Sequence, residues 1–498
     1  MYYTHSAEKD RESQSEIVGA GRNLVTTRFG LRILSTLGGE LFFHLAIMLN
    51  LVWVALLLAG VMCAAFTGRF DALNQGGLNA AKSAVMEIAL PLVGVMALWL
   101  GMMRLAERAG LIQLLGRLIR PIMSRLFPEI PANHPAMGAM MMNISANMLG
   151  VSNAATPLGL KAMAHLNDLN QRKGVATNAM CTFLALNTSS IQLVPATAIN
   201  ILAINGSKNP TAIVGSTLIA TGIATIAAIF FVKVLERTAP FRWEHQIGIG
   251  PTQDSPAEDT KDGSVAELST PRLQRWAICA IGLLVVLFAV TLAVRAFPYI
   301  FVRWLPIPYA TTSWPTGFWD AVAMFLRALS PLAIPFLLAF FPLYALGKGI
   351  SVYSEFVEGA KEGFQVAVRI IPYLVGMLVA IAVFRESGAL DLLKSGLAPL
   401  LNAVQIPADL LPMIVMRPLS GSGSIAILGD LVKQFGPDHL LSYMAATIYG
   451  SAETTFYVVA VYFGSVGITR TRHSIPAGLL ADLVGVIAAV IVCRWLFG

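Results

Sequence analysis

Residues 143–157 read NISANMLGVSNAATP and place amides and hydroxyls inside an otherwise apolar stretch. Gly150 and Pro157 are residue types that stop or turn a helix. A helix broken in an apolar environment leaves free N–H and C=O groups, which persist only where side chains, water, an ion or a ligand satisfy them. The stretch therefore predicts a broken or re-entrant helix near 136–160.

The composition around this stretch is typical of an all-α polytopic membrane protein. The 498 residues are 56% hydrophobic and 13% charged, with a mean hydropathy of +0.68, whereas soluble domains carry roughly 25% charged residues. The apolar runs do not alternate as barrel strands would. We predict about nine full spans, long enough to cross a bilayer, near 41–66, 84–105, 175–203, 210–234, 274–295, 318–347, 368–385, 439–466 and 474–497.

Two polar segments organise the chain. Residues 1–40 predict a cytoplasmic tail, and residues 235–273 contain GPTQDSPAEDTKDGS, a polar linker without apolar periodicity. The membrane halves are then 41–234 and 274–498, with the repeated part of the second half beginning near 327. The net charge of +7 comes from basic clusters beside apolar runs, a pattern that sets orientation and does not indicate nucleic-acid binding.

The two halves repeat the same order of motifs. PLVGVM at 91–96 is followed by a short helix and the polar stretch at 143–157, and PYLVGM at 372–377 is followed by a short helix and MRPLSGSGS at 416–424. We predict a second broken or re-entrant helix near 410–430. Each half also has a later span with a polar interruption, NTSSIQ at 187–192 and GSAETT at 450–455.

The charges next to these repeats indicate that the halves are inverted. The short helix of the first half carries five arginines, whereas its counterpart has Arg385 and Lys394, and the bias is reversed in the later loops. Basic residues mark the cytoplasmic side, so opposite bias at equivalent positions predicts two inverted repeats. The linker and the N-terminus are then cytoplasmic, in a multi-pass membrane protein.

The first break offers uncharged polar groups as candidate ligands. Interhelical hydrogen bonding is the simpler explanation for any one of them, but their density beside Gly and Pro favours a binding site. The candidate substrate-binding residues of the first half are Asn143, Ser145, Asn147, Asn153, Thr156, Asn187 and Gln192.

The second break is charged. Arg417 precedes a Gly/Ser loop, and a guanidinium beside the free N–H groups of a half-helix favours an anion such as a carboxylate or phosphate. The alternatives are a structural ion pair with Glu453 or Glu386, or an interfacial position. Ser420, Ser422 and Ser424 complete the candidate substrate-binding residues of this half.

Glu453 lies in a segment with few charges, TIYGSAETTFYVVAVYF. It is a candidate for binding a coupling ion, Na⁺ or H⁺, with Ser451, Thr454 and Thr455 as further oxygen ligands. A counter-charge to Arg417 is the alternative. Glu87 is interpreted as a lone interfacial acid. No nucleophile, metal or nucleotide motif is present, so we expect no enzymatic activity, no metal site and no cofactor.

Several long motifs resemble a known family. NISANMLGVSNAATPLGLKAM resembles spore maturation protein A, while RESGALD (385–391), MRPLSGSGS (416–424) and GSAETTFYVVAVYFGSVGITRTRH (450–473) resemble spore maturation protein B. The resemblance implies two Gate, or nucleoside-recognition, domains fused in one chain. Such domains also occur in concentrative nucleoside transporters and in the ferrous-iron transport protein B membrane region. The resemblance leaves the substrate open.

These observations lead to one main hypothesis and two alternatives. The main hypothesis is an inner-membrane secondary transporter for a small polar solute, with Arg417 favouring an anion, bound between the two broken helices. The second is a scaffold or regulator of an envelope-remodelling enzyme, and the third is movement of a lipid or lipid-linked precursor. The expected partners are the solute and the lipid bilayer, with a second copy of the chain or an envelope enzyme as further hypotheses.

Overall fold

The computed structural model describes residues 39–131, 133–150, 152–238, 273–301, 315, 317–403 and 405–498. These residues are almost entirely helical, and no strand occurs among them. The predicted tail and linker lie almost wholly outside the described residues.

The helices fall into a first half, a connecting pair and a second half. The first half contains α1 Gly39–Thr67, α2 Phe70–Ser83, a π-helical turn Ala84–Ala89, α3 Leu90–Arg108, α4 Leu111–Leu126, α5 Pro135–Leu149, α6 Ser152–Asp168, α7 Asn178–Thr188, α8 Ala196–Ile204 and α9 Ile213–Leu235. The connection contains α10 Arg275–Ala296 and the short α11 Pro298–Phe301. The remaining helices are α12 Phe318–Gly347, α13 Val352–Glu386, α14 Ala389–Ala403, α15 Leu411–Met416, α16 Gly421–Phe435, α17 Leu440–Ser451, α18 Thr455–Ser465 and α19 Ser474–Phe497.

Local sequence explains where the broken helices start and stop. Gly150 ends α5 with φ of 77°, a left-handed conformation that is costly for residues with a Cβ. Ser420 begins α16 by accepting a hydrogen bond from Gly423 N at 3.0 Å, and Thr177 begins α7 by accepting one from Met180 N at 3.1 Å. Such caps satisfy N–H groups that have no partner within the helix.

The long helices α3 and α13 pack antiparallel at very close range. A Cβ added to Gly363 would lie 2.6 Å from Ala97 Cα, and one added to Gly359 would lie 2.6 Å from Leu100 O. Small residues permit such backbone-to-backbone contact in membrane helices. Arg104 extends the contact through ion pairs of 2.8 Å with both Glu355 and Glu362. These two helices contain the equivalent PLVGVM and PYLVGM motifs.

The later broken helices also run antiparallel. Ala176 N, ahead of α7, donates to Arg470 O, beyond α18, at 3.0 Å. At the other end, Ser207 Oγ, beyond α8, donates to Asp438 Oδ1, ahead of α17, at 2.6 Å. The middle of α7–α8 therefore lies beside the middle of α17–α18, and this contact places the polar interruptions of both halves next to each other.

Six described helices are long and apolar enough to cross a membrane: Phe70–Arg108, Ile213–Leu235, Arg275–Ala296, Phe318–Gly347, Val352–Glu386 and Ser474–Phe497. The shorter apolar stretch Trp53–Thr67 belongs to α1. Together these segments make the chain a multi-pass membrane protein.

Two segments predicted as full spans differ from the prediction. The segment 175–203 is divided into α7 and α8, and 439–466 is divided into α17 and α18. Together with the breaks after Leu149 and Met416, the described residues therefore contain four helix breaks where two were predicted. The physical reason is that Pro195 has no N–H with which to continue a helix, and that Glu453 N, inside the second interruption, donates to Thr188 O of the other half at 2.7 Å.

Candidate functional site

Within each half, the two breaks are joined by one backbone hydrogen bond. In the first half Leu193 N donates to Met148 O at 3.0 Å, and in the second half Phe456 N donates to Pro418 O at 3.1 Å. These bonds occupy corresponding places in the repeats and satisfy carbonyls at the end of an interrupted helix. The repeat seen in the sequence is therefore also a repeat of backbone hydrogen bonding.

The two halves meet at their later breaks. Glu453 N donates to Thr188 O at 2.7 Å, and Gln192 Nε2 donates to Glu453 Oε1 at 3.0 Å. The Glu453 side chain is 34% exposed, so a solute can reach this carboxylate. We call Gln192, Glu453 and the two later breaks, between α7 and α8 and between α17 and α18, the central junction.

An amide and phenol cluster lies beside the central junction. Asn147 Nδ2 donates to Asn187 Oδ1 at 2.9 Å, and Asn143 Nδ2 donates to Tyr462 OH at 3.1 Å and to Ala155 O at 2.7 Å. Tyr462 OH donates weakly to Asn187 Oδ1 at 3.4 Å. Asn143 Oδ1 is buried and accepts no hydrogen bond. The structure thus brings Asn143, Asn147 and Asn187 together, mainly as interhelical contacts.

Arg417 follows α15 and is 3% exposed. Its side chain contacts the break between α17 and α18. Its Nη2 donates to Ala452 O, and its Nη1 donates to Thr454 Oγ1 at 3.3 Å. The guanidinium lies 4.6 Å from the centre of the Tyr449 ring, a cation–π distance. Glu453 is its nearest carboxylate, with Nη2 to Oε2 at 3.9 Å. The ion pair with Glu453 is therefore present, whereas Glu386 instead pairs with Arg385 at 3.1 Å.

The serines and threonines mostly stabilise backbone. Ser145 Oγ donates to Met141 O, Ser424 Oγ to Ser420 O and Ser451 Oγ to Ile448 O, which are local bonds within or at the start of a helix. Ser422 Oγ lies 3.4 Å from Ser420 Oγ. Thr156 is half-buried on α6, and the side chain of Asn153 lies outside the described residues.

Sequence reasoning missed Asp482 on α19. It is 6% exposed, and its Oδ2 accepts a hydrogen bond from Thr455 Oγ1 at 2.5 Å. Thr455 is the first residue after the Ala452–Thr454 break. In the first half, Thr221 Oγ1 on α9 donates to Ser189 O and Ser190 O at 3.1 and 2.7 Å. A single acid inside a long apolar span was the available signal, because such residues are usually functional.

The structure also describes Glu87 and the four cysteines. Glu87 is not a lone acid, because its Oε2 pairs with Lys433 Nζ at 2.5 Å and accepts from Ser83 Oγ at 2.9 Å. The four cysteines, which show no metal or disulfide spacing in the sequence, are all free thiols. Among the described residues no group of three or more His, Cys, Asp or Glu side chains could hold a metal ion.

A cavity of about 170 Å³ lies beside Ala452, the first residue of the second half's later break. Its polar lining comes from Arg417, Ser451 and Asp482, and its apolar lining includes Ile414, Leu479 and Leu483. It is smaller than the several hundred Å³ typical of pockets for drug-sized ligands. We call it the Arg417–Asp482 cavity.

The described residues thus form a multi-pass helical membrane protein with repeated helix breaks. The Gate family, described as nucleoside recognition, matches residues 89–205 and 367–469. Over 170 residues the chain is 47% identical to spore maturation protein B of Bacillus subtilis (strain 168), which covers 34% of this chain and 96% of that protein. Over 182 residues it is 44% identical to spore maturation protein A of the same organism, covering 36% of this chain and 92% of that protein. The chain belongs to the spore maturation protein A and B family.

Proposed function

We propose that the protein is an inner-membrane secondary transporter built from two inverted Gate repeats, with its solute site at the central junction. The observation that carries the proposal is the contact of four helix breaks around Glu453 and Gln192. Helix breaks that meet inside a membrane are the usual place where secondary transporters bind solute and coupling ion. Antiparallel packing of α3 with α13, and of α7–α8 with α17–α18, supports the inversion.

The accessible chemistry supports a small polar solute that carries hydrogen-bond donors. Arg417 is already occupied by Ala452 O, Thr454 Oγ1 and the Tyr449 ring. Glu453 is the more exposed partner of that ion pair, and a carboxylate accepts hydrogen bonds only. An anionic solute therefore requires Arg417 to exchange a partner, whereas a solute with amine, amide or hydroxyl donors fits the junction directly.

The flux experiment uses the full chain in proteoliposomes, with nucleosides, amino acids, organic anions and cell-wall fragments as separate probes and with proton or sodium gradients applied in turn. We expect the Glu453→Gln variant to lower the flux of the transported probe at least tenfold. The reason is that a hydrogen bond to a charged group contributes about 1.5–3 kcal/mol, and 1.4 kcal/mol corresponds to tenfold in affinity.

The matched control for Glu453→Gln is Glu358→Gln. Glu358 also pairs with a cation, Lys361 at 2.9 Å, but its side chain is 53% exposed on α13. The solute flux of the Glu358→Gln variant should equal that of the unchanged protein. Equal flux for Glu453→Gln would contradict the site. If no probe crosses and none raises the unfolding temperature, the non-transporting scaffold becomes the better hypothesis.

The inversion has an independent test. Reporter tags inserted at Arg120 on α4 and Ser395 on α14 occupy equivalent short helices. In inverted repeats these helices lie on opposite sides of the membrane, and the arginines of α4 place it on the cytoplasmic side. We expect an externally added, membrane-impermeant reagent to reach the tag at 395 in intact spheroplasts and the tag at 120 only after lysis. Labelling of both tags from the same side would show that the repeats are parallel.

A further inference from the structure

Asp482 has no role in the solute site described above, yet it is a carboxylate at the middle of the membrane-spanning helix α19. Its Oδ2 accepts from Thr455 Oγ1, and its buried Oδ1 has no hydrogen-bond partner in the part of the chain that the structure describes. Among the described residues, no Lys, Arg or His nitrogen lies within the 4.0 Å of an ion pair with it. An ionised carboxylate in this setting would lack both a counter-charge and half of its hydrogen bonds, which is costly inside a membrane.

Charge counting around the break gives the same result. Three ionisable side chains lie around Ala452–Thr454. Arg417 is positively charged, whereas Glu453 and Asp482 are negatively charged when ionised. Arg417 is within 3.9 Å of Glu453, so this pair is internally balanced. Asp482 is left as the unbalanced charge, and one added proton makes the cluster neutral.

We propose that Asp482 is a proton-binding site, and that it carries the proton while the Ala452–Thr454 break has the conformation seen here. A proton suits the site better than a metal ion for two reasons. The guanidinium of Arg417 lines the same cavity and repels a metal cation, and the polar lining contributes few oxygens besides those of Asp482 and Ser451, whereas hard cations prefer six or more oxygen ligands.

The surroundings of Asp482 identify what its proton would influence. Arg417 is the cation that shares the cavity, and Glu453 is the other acid. The remaining titratable side chains on the helices packed against α19 are Cys181 on α7, Lys233 on α9, Tyr443 and Tyr449 on α17, and Tyr457 and Tyr462 on α18. None of these phenols, the thiol or the ammonium lies within ion-pair or hydrogen-bond distance of Asp482 among the described contacts. Arg417 is therefore the group that responds when Asp482 loses its proton.

The response follows from the contacts of Arg417. Once ionised, Asp482 competes with Glu453 for the guanidinium, because Arg417 and Asp482 line the same cavity of about 170 Å³. If Arg417 turns toward Asp482, it releases Ala452 O and Thr454 Oγ1. Its hydrogen bonds to these two atoms stabilise the break that contains Glu453. Proton loss at Asp482 would thus loosen the solute side of the junction. This link rests on the proposed transport function, whereas the proton site itself does not.

The test is infrared difference spectroscopy of the full chain in lipid nanodiscs, recorded from pH 5 to pH 9 without any solute. We expect a C=O stretching band of a protonated, buried carboxylic acid, and we expect Asp482→Asn to abolish that band. Glu453→Gln frees Arg417 to pair with Asp482, so the band should disappear at a lower pH than in the unchanged protein. The control Glu358→Gln should leave the band unchanged.

Several results would overturn the proposal. The band could be missing from the unchanged protein throughout the pH range, or it could persist in Asp482→Asn. Loss of the band on adding sodium chloride, with choline chloride as the ionic-strength control, would assign the site to a metal ion instead. If Asp482→Asn fails to fold, Thr455→Val is the second test, because removal of the hydroxyl partner should shift the band frequency. No flux is needed, so failure of transport and failure of the proton site are distinguishable.

Discussion

Gly363→Ala is expected to lower the free energy of unfolding by about 3 kcal/mol, since overpacking of a tight contact costs 1–3 kcal/mol and sometimes more. The new Cβ would lie 2.6 Å from Ala97 Cα and 2.7 Å from Ala97 N. These are backbone atoms of α3, so no side chain can rotate away, and the two long helices would have to separate. The measurement is the unfolding temperature and the monodisperse fraction of purified protein.

Gly282→Ala provides the matched control for this prediction. Gly282 also lies inside a membrane-spanning helix, α10, but an added Cβ meets no atom within 4 Å there. Alanine is the better helix former by about 1 kcal/mol, so this variant should be as stable as the original protein or more so. Opposite signs for two identical substitutions would locate the effect in the α3–α13 contact. A Gly363→Ala variant that unfolds no earlier than the original would show that α3 and α13 do not pack this closely.

Arg417→Ala is expected to destabilise the protein by about 3 kcal/mol or more, because it removes a buried guanidinium that makes two hydrogen bonds, and a hydrogen bond to a charged group contributes about 1.5–3 kcal/mol. The change leaves Glu453 without its cation, removes the donors to Ala452 O and Thr454 Oγ1, and exposes one face of the Tyr449 ring. Solute flux should fall below detection, because the break that carries Glu453 loses its support. Unfolding temperature and flux are both measured, with any solute found for the original protein.

Two further variants separate charge from geometry at this position. Arg417→Lys keeps the positive charge but cannot provide two parallel donors and a flat face for stacking, so it should recover stability only in part. Arg108→Ala is the control for loss of an arginine, because its side chain is 53% exposed and Glu355 keeps its pair with Arg104. Exposed pairs contribute roughly 0–1 kcal/mol. A similar loss for both arginines would show that Arg417 has no special role.

The sequence predicted the repeat and the first two breaks, because Gly150 and the Gly/Ser loop after Arg417 act locally. Pro157, which was expected to stop or turn a helix, lies inside α6. The sequence also located the polar interruptions at 187–192 and 450–455. It did not predict that those interruptions end helices, because the segments around them have the length and hydropathy of complete spans. What stops them is contact between halves, such as Glu453 N to Thr188 O, and contacts between distant residues are not visible in a local pattern.

The candidate site was predicted in part. Glu453 lies 3.0 Å from Gln192 and 3.9 Å from Arg417. In the sequence, Gln192 is more than 200 residues away from the other two. The serines near 420 were predicted as ligands, and in the structure Ser420 caps α16 while Ser424 donates to Ser420 O. A Gly/Ser loop has the same composition in either role, so the binding role stays a prediction. Asp482 was missed because its neighbours carry no motif, although it is a single acid inside a long apolar span. Its burial beside Arg417 is visible only in the structure.

The hydrogen bonds that join the two later breaks have a consequence for assembly. The two Bacillus subtilis relatives are separate proteins, each matched over more than nine-tenths of its length by about a third of this chain. Contacts between separate chains can form only after the chains have met. In this protein the same contacts are intramolecular, so their effective concentration is set by the connecting segment and not by expression level. A single polypeptide thereby fixes the stoichiometry of the two halves at one to one.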